Sequence, residues 1–133
     1  MTYLWVAIGG AAGSVGRFWM NGIVSRLFGE TFPWGTVFVN VTGSFAIGLF
    51  AALAAPEGRM DSQSRAFVSQ LLIYGICGGY TTFSSFSLQT LNLLREREWL
   101  YAGGNVLVSI ISCMIAVGLG WMLGSVFNSM KGI

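Results

Sequence analysis

A short run of glycine, hydroxyl and aromatic residues is the part of this chain whose residue types could do chemistry. Residues Gly78 to Ser87 read GGYTTFSSFS, and they lie within residues 66–94, a stretch without a charged side chain. Paired glycines followed by two β-branched residues are poor helix formers. In lipid, non-helical backbone is tolerated only where it faces protein or a polar cavity, and ion sites occur at such breaks. The run therefore predicts an interrupted membrane helix that handles an ion.

The same run offers groups for two kinds of ion. Phe83 and Phe86 present ring edges, which carry partial positive charge. Ser84 and Ser87 add hydroxyl donors, so a small anion could be held without a fixed cation. Backbone carbonyls freed by a break favour a hard cation instead. Aromatic residues in a membrane helix usually serve packing, and that alternative stays open.

Polar residues elsewhere in apolar stretches extend this prediction. Asn40 offers amide donors to an anion, or else a hydrogen bond between helices. Asn105, Ser109 and Cys113 recur every four residues and so share one helix face, on which a stripe of donors could replace an ion's hydration shell in steps. Arg17 is the one charge well inside an apolar run. It could form an anion vestibule, or it could snorkel or bind helix-end carbonyls.

Composition predicts the elements that position these residues. Hydrophobic residues make up 54% of the 133-residue chain and charged residues 9%, whereas soluble domains carry about 25% charged residues. Four apolar runs are long enough to span a bilayer. We expect a single all-α, multi-pass domain of the cell (inner) membrane, with helices at about 3–27, 35–55, 66–94 (broken at 78–82) and 100–127. A net charge of +2 is too small to indicate a nucleic-acid partner.

The basic residues of the loops are balanced between the two sides of the predicted membrane helices. One side holds Arg59, Arg65 and Lys131, and the other holds Arg26, Arg95 and Arg97. Orientation follows an excess of Lys and Arg on one side. Without an excess, both orientations are expected, and their natural assembly is an antiparallel, dual-topology homodimer. The alternative is that the position of the charges, rather than their number, decides orientation.

Three motifs carry a resemblance to a known family, and they extend over nearly the whole chain. They are Gly-Gly-x-Thr-Thr-Phe-Ser-x-Phe-Ser from Gly78, Gly9-Gly10-x-x-Gly13-x-x-x-Arg17, and Trp34-Gly35-Thr36 with Asn40 and Gly43. This pattern resembles the Fluc (CrcB) family of fluoride channels. The resemblance implies an antiparallel dimer with two pores, passive export of cytoplasmic fluoride, and a central structural Na⁺ that is not transported.

The resemblance also implies roles for individual residues. Backbone carbonyls of Gly78 and Thr81 would bind the sodium ion. Phe83 and Phe86 would be pore aromatics, Asn40 a pore amide, and Ser109 part of a polar track. Asn105 and Cys113 stand where the family can have Tyr and Ser, so their contact with the ion is less firmly implied.

Two other classes of membrane protein remain as alternatives. A small multidrug exporter is also a four-helix dual-topology dimer, but it needs a carboxylate inside the membrane for proton coupling. All five acidic residues here fall in predicted loops, and the chain has no histidine. A structural membrane subunit would leave the hydroxyl-aromatic run unexplained. The chain offers no pair of catalytic groups, so we expect no enzyme activity.

The balance of basic residues predicts dual insertion. Reporters fused to the C-terminus should find it on both sides of the membrane, because neither side carries the excess of Lys and Arg that fixes orientation. More than roughly nine-tenths of the protein in one orientation would contradict the antiparallel dimer. Two lysines added after Lys131 should bias insertion toward one side.

Overall fold

The chain forms helices in the order predicted from its apolar runs. The computed structural model describes residues 1–130, and these contain no strand. The elements are α1 (Thr2–Phe28), α2 (Trp34–Leu53), α3 (Ser62–Val68), a π-helical segment (Ser69–Cys77), α4 (Gly78–Tyr80), α5 (Phe83–Arg95) and α6 (Trp99–Ser129). Because α3 to α5 follow one another as one interrupted unit, the described residues form four main helices. This confirms the all-α prediction.

The third helical unit begins earlier than its apolar run. α3 starts at Ser62, four residues before the predicted start, because Asp61 caps it by accepting hydrogen bonds from the backbone N–H groups of Gln63 (3.0 Å) and Ser64 (3.2 Å). The hydrogen bonds from Ser64 and Gln63 lower the pKa of Asp61. The cap is therefore present at neutral pH and is lost only as the pH falls through that lowered pKa.

The interruption is shorter than predicted. Only Thr81 (φ −78°, ψ 158°) and Thr82 (φ −152°, ψ 111°) have extended backbone, whereas Gly78–Tyr80 is helical. The expectation of a break over residues 78–82 was therefore wrong at Gly78 to Tyr80. The glycines serve close packing instead, since a Cβ at Gly79 would lie 2.5 Å from the carbonyl oxygen of Gly10.

The π-helical segment is the element for which the sequence offered no signal. It packs against α1 where both segments carry glycine. A Cβ at Gly9 would lie 2.9 Å from the Cα of Gly75. A Cβ at Gly13 would meet the carbonyl oxygen of Ile76 and lie 2.9 Å from the Tyr80 nitrogen. The glycine spacing of α1 is thus a packing surface, as small residues are in membrane helices.

The second close pair is α2 with α6. A Cβ at Gly120 would collide with the Phe45 carbonyl oxygen, and one at Gly124 would lie 2.8 Å from the Leu49 carbonyl oxygen. The predicted small-residue pair of the last helix therefore lets these two backbones approach.

Loop contacts define two ends of the molecule. At one end the Trp5 and Phe67 rings meet edge-on at 5.0 Å, and Asn128 Nδ2 donates to the Ala52 carbonyl oxygen at 2.7 Å. At the other end Phe32 lies 6.2 Å from Tyr101, ring centroid to ring centroid. The first end holds Arg59 and Arg65, and the second holds Arg26, Arg95 and Arg97. Lys131, counted in the charge tally, lies outside the described residues.

Long apolar helices with exposed apolar side chains dominate the described residues. By length and composition, α2 (mean hydropathy 1.8) and α6 (mean hydropathy 2.3) could cross a membrane. Large apolar side chains face outward, including Phe18 (85% exposed), Leu107 (62%) and Met114 (66%). Such a surface is uncommon in a soluble monomer and marks contact with lipid or protein.

The glycine contacts lead to a paired prediction about stability. Gly13→Ala should destabilise the protein by about 1–3 kcal/mol, because the new methyl group meets backbone atoms that cannot move aside. Gly22→Ala, in the same helix with open space around it, should leave stability unchanged or raise it by up to about 1 kcal/mol. Unfolding of the purified protein in detergent measures both. Equal stability for the two variants would contradict the close contact.

Candidate functional site

The amide of Asn40 holds the interrupted backbone. Its Nδ2 donates to the Thr82 carbonyl oxygen at 3.0 Å, and its Oδ1 accepts from the Thr82 N–H at 2.7 Å. One side chain on α2 thereby satisfies both backbone groups of Thr82, the second of the two extended residues, which is buried. The second hydrogen of the amide group remains available to another acceptor.

These two hydrogen bonds, which we call the Asn40 clamp, change the hydrogen-bond partners of the neighbouring carbonyl groups. In a regular helix the Thr82 N–H would bond the carbonyl of Gly78, four residues earlier. Because that N–H goes to Asn40, the Gly78 carbonyl loses its helical donor. The Thr81 carbonyl oxygen accepts from Arg17 Nη1 at 3.2 Å, so Arg17 binds a helix-end carbonyl, one of the two roles that its position predicted.

Thr82 also starts the following helix. Its Oγ1 accepts from the Ser85 N–H at 3.1 Å, as the N-cap of α5. Ser84 Oγ lies 3.3 Å from the same oxygen, and Ser87 donates to the Phe83 carbonyl oxygen at 2.9 Å. Ser84 and Ser87 are both exposed, and their hydroxyl groups lie close to the Thr82 hydroxyl and the Phe83 carbonyl, respectively.

A groove of about 330 Å³ lies against the interruption, and we call it the Phe groove. It brings together six of the predicted site residues, five from three helices and Thr81 from the interruption. Its walls are Asn40, Ser44, Ile47, Thr81, Thr82, Phe83, Phe86, Ser109, Ile110 and Cys113. The wall is mainly apolar, with an amide, hydroxyl groups and a thiol at isolated points.

The two phenylalanines stand side by side in this groove. Their ring centroids are 5.4 Å apart and their planes make an angle of 48°. The Phe83 side chain is 78% exposed, so most of its surface is not covered by the chain. The pair therefore forms one wall of a space that the single chain leaves open.

The polar stripe of α6 is split between the groove and the interior. Asn105 is fully buried, and its Nδ2 donates to Thr90 Oγ1 at 2.9 Å. Ser109 directs its hydroxyl hydrogen to Asn105 Oδ1 at 3.3 Å. Ser109 and Cys113 line the Phe groove, but Asn105 does not. Asn105 therefore positions Ser109 and ties α6 to α5.

Arg17 lines a different space on the other side of the interruption. This cavity of about 320 Å³, here called the Arg17 cavity, includes Asn21, Thr82, Ser85 and Gln89 in its wall. Thr82 lines both the Arg17 cavity and the Phe groove. Thr82 is therefore a wall shared by the cavity that holds the predicted vestibule residue and the groove that holds the predicted pore residues.

Comparison with known proteins places this geometry in a family. Residues 4–121 match the family described as CrcB-like protein, Camphor Resistance (CrcB). The chain belongs to the CrcB family. A relative from Opitutus terrae, named fluoride-specific ion channel FluC, is 58% identical over 132 residues, covering 98% of this chain and 97% of the relative.

Other relatives carry the same name. One from Methylocella silvestris is 51% identical and covers 99% of both chains. One from Rhodospirillum rubrum is 49% identical, covering 90% of this chain and 92% of the relative. Family membership confirms the resemblance stated from the motifs and, with the long apolar helices, makes this a membrane protein. These names describe channels, which agrees with the prediction that the chain is not an enzyme.

Several residues that line these spaces were not among the predicted site residues. Thr82 was read only as part of the helix-breaking run, although a threonine directly before a helix is a recognised N-cap signal. Asn21 and Gln89, which line the Arg17 cavity, carry no local signal, because they belong to helices far apart in sequence and are brought to one cavity only by the fold.

The Asn40 clamp predicts a stability effect at this site. Asn40→Leu should destabilise the protein by about 2–6 kcal/mol, since two buried backbone groups lose their partner at about 1–3 kcal/mol each. Ser44→Ala, one turn later on the same groove, should change stability by less than about 1 kcal/mol. Chemical unfolding in detergent measures both. A wild-type midpoint for Asn40→Leu would contradict the clamp.

Proposed function

We propose that this chain is a fluoride-specific ion channel that exports cytoplasmic fluoride passively across the inner membrane. The observation that carries the proposal is the Phe groove, which joins an amide, two adjacent aromatic rings, hydroxyl groups and a thiol. The names of relatives up to 58% identical support the same function.

The groove suits a small, strongly hydrated anion that must be held weakly. Positive ring edges of Phe83 and Phe86 attract an anion without the full charge that would trap it. The free hydrogen of the Asn40 amide and the Cys113 thiol add donors of graded strength. Arg17, on the far side of Thr82, raises the local concentration of anions.

The conducting unit of this proposal is an antiparallel homodimer with two pores. The outward surface of Phe83 (78% exposed) supports it, because a second copy would cover this ring and close the open side of the groove. Within the described residues, Arg26, Arg95 and Arg97 lie at one end and Arg59 and Arg65 at the other. A difference of one basic residue is compatible with insertion in both directions.

A structural sodium ion belongs to the same proposal. The Gly78 carbonyl, which lacks its helical donor because of the Asn40 clamp, fits a ligand of a monovalent cation. The Thr81 carbonyl already accepts from Arg17, but a carbonyl oxygen has a second lone pair. Neutral carbonyls from two copies would hold the ion, which would stabilise the dimer and not be transported.

The alternatives are less well supported. A proton-coupled multidrug exporter needs a carboxylate inside the helix bundle, and Glu30, Glu57, Asp61, Glu96 and Glu98 are all exposed, outside the long helices. A structural subunit would have no use for an open groove lined by isolated polar groups.

The direct experiment is ion efflux from liposomes that contain the purified protein. Fluoride should leave rapidly and chloride should not, in the absence of any proton gradient. Equal fluxes for the two ions, or none above empty liposomes, would overturn the proposal.

The paired rings give a sharper prediction. Phe83→Ile and Phe86→Ile keep apolar bulk but remove the positive ring edge, so fluoride flux should fall by roughly tenfold or more while the dimer stays folded. Phe127→Ile, at the far end of α6 from the Phe groove, is the matched control and should conduct normally. Parental flux in both groove variants would assign the rings to packing alone.

A further inference from the structure

The Tyr80 ring fills a space between α1 and α2 that two glycines leave open. A Cβ at Gly43 of α2 would lie 3.1 Å from Cδ1 and 3.6 Å from Cε1 of this ring. A Cβ at Gly16 of α1 would lie 3.8 Å from Cδ2, on the opposite edge. The ring therefore lies between the backbones of the two helices, directly before the interruption.

The Tyr80 hydroxyl adds a polar anchor to this packing. Its oxygen lies 3.0 Å from Thr42 Oγ1. Thr42 directs its own hydroxyl hydrogen to the Phe38 carbonyl oxygen at 2.8 Å, one turn earlier in α2. Because a threonine hydroxyl has a single hydrogen, Tyr80 is the donor in this pair and Thr42 is the acceptor.

This anchor acts on a segment that has no other side chain to hold it. The sequence of α4 is Gly78-Gly79-Tyr80. Its packing against α1 brings two glycine backbones together, since a Cβ at Gly79 would lie 2.5 Å from the Gly10 carbonyl oxygen. Such packing limits the distance between the helices but sets no direction, whereas a hydrogen bond depends on direction. The bond from Tyr80 therefore fixes the rotation of α4.

Helix α2 thus supports the interruption from both sides. The Asn40 clamp holds the second extended residue, and Thr42 holds Tyr80, the residue directly before the extended pair. The carbonyl groups of Gly78 and Thr81 lie within two positions of Tyr80 in the chain. A rotation of Tyr80 would therefore turn both carbonyl groups.

We propose that Tyr80 is a positioning residue of the cation site, whose hydrogen bond to Thr42 holds the Gly78 and Thr81 carbonyl oxygens in the direction that favours the ion. This inference rests on the structural sodium ion of the proposed function. Neutral carbonyls attract a cation through their dipoles, so a change in their direction weakens binding. Tyr80 itself does not bind the ion, but it sets the affinity of the carbonyl groups beside it.

The sodium dependence of stability tests this role without any transport measurement. Purified protein is unfolded in detergent over a series of sodium concentrations, with N-methylglucamine replacing sodium at constant ionic strength. The rise of stability with concentration gives the apparent dissociation constant for sodium. Tyr80→Phe and Thr42→Val each remove one side of the hydrogen bond and should raise this constant by roughly threefold to tenfold. The double variant should raise it no further, because both changes remove the same bond.

Two variants are matched controls. Thr42→Ser keeps the hydroxyl acceptor and should retain the parental dissociation constant. Tyr74→Phe makes the same change at a tyrosine whose side chain is 69% exposed, and it should also bind sodium as the parent does. A Tyr80→Phe variant that is less stable by the same amount at every sodium concentration would assign the hydrogen bond to packing alone and overturn the proposal. A Thr42→Ser variant that binds sodium as weakly as Thr42→Val would also contradict it.

The two proposals fail in different ways. If sodium does not stabilise the parent protein, the proposed sodium site is wrong, and the role of Tyr80 falls with it. If sodium stabilises the parent and every variant with the same dissociation constant, only the role of Tyr80 is wrong. Fluoride efflux enters neither result, so the liposome experiment decides the channel function separately.

Discussion

Two hydrogen bonds between the Asn40 side chain and the Thr82 backbone allow a helix to stop and restart inside an apolar protein. An interruption leaves N–H and C=O groups unpaired, and lipid cannot satisfy them. Asparagine presents a donor and an acceptor in one planar group, so it replaces both backbone partners at once. The direction of α5, and with it the placement of Phe83 and Phe86, depends on this contact between α2 and the extended residues, together with the hydrogen bond from Asn105 of α6 to Thr90 of α5.

The same contact assigns two functions to one residue. Asn40 was expected to offer its amide to an ion, and it does line the Phe groove. Its oxygen and one of its N–H groups are nevertheless committed to Thr82. An amide held in this way cannot turn its oxygen toward an approaching anion, so the remaining N–H is presented in one orientation. The hydrogen bonds to Thr82 thus preorganise the remaining N–H of the Asn40 amide as a donor.

Most of the architecture could be predicted from local patterns. Apolar runs predicted four helices, the glycines of α1 and α6 predicted close packing, and the residue pair Thr81-Thr82 fell within the predicted break. What could not be predicted depends on contacts distant in sequence. Arg17 reaches the Thr81 carbonyl across 64 positions, and Asn40 reaches Thr82 across 42. No period or motif encodes such pairings, because many packings of the same helices satisfy the same pattern.

Asn105 illustrates the same limit on one helix face. Its spacing with Ser109 and Cys113 placed all three on one stripe, which was expected to face the ion. The structure buries Asn105 completely and pairs it with Thr90 of α5, so the face turns from interior to groove along its length. Helical period identifies the stripe, but the neighbouring helix decides where the stripe becomes buried.

The π-helical turns of Ser69–Cys77 affect how tolerant this gene is of insertions and deletions. A π-helical turn corresponds to an extra residue accommodated within an α-helix. Loss of one codon in this segment would let a π-helical turn close to an α-helical turn, and the residues after it would keep their orientation. The extended threonines would then still face Asn40. Residues 69–77 can therefore tolerate a change of length that the motif after them cannot.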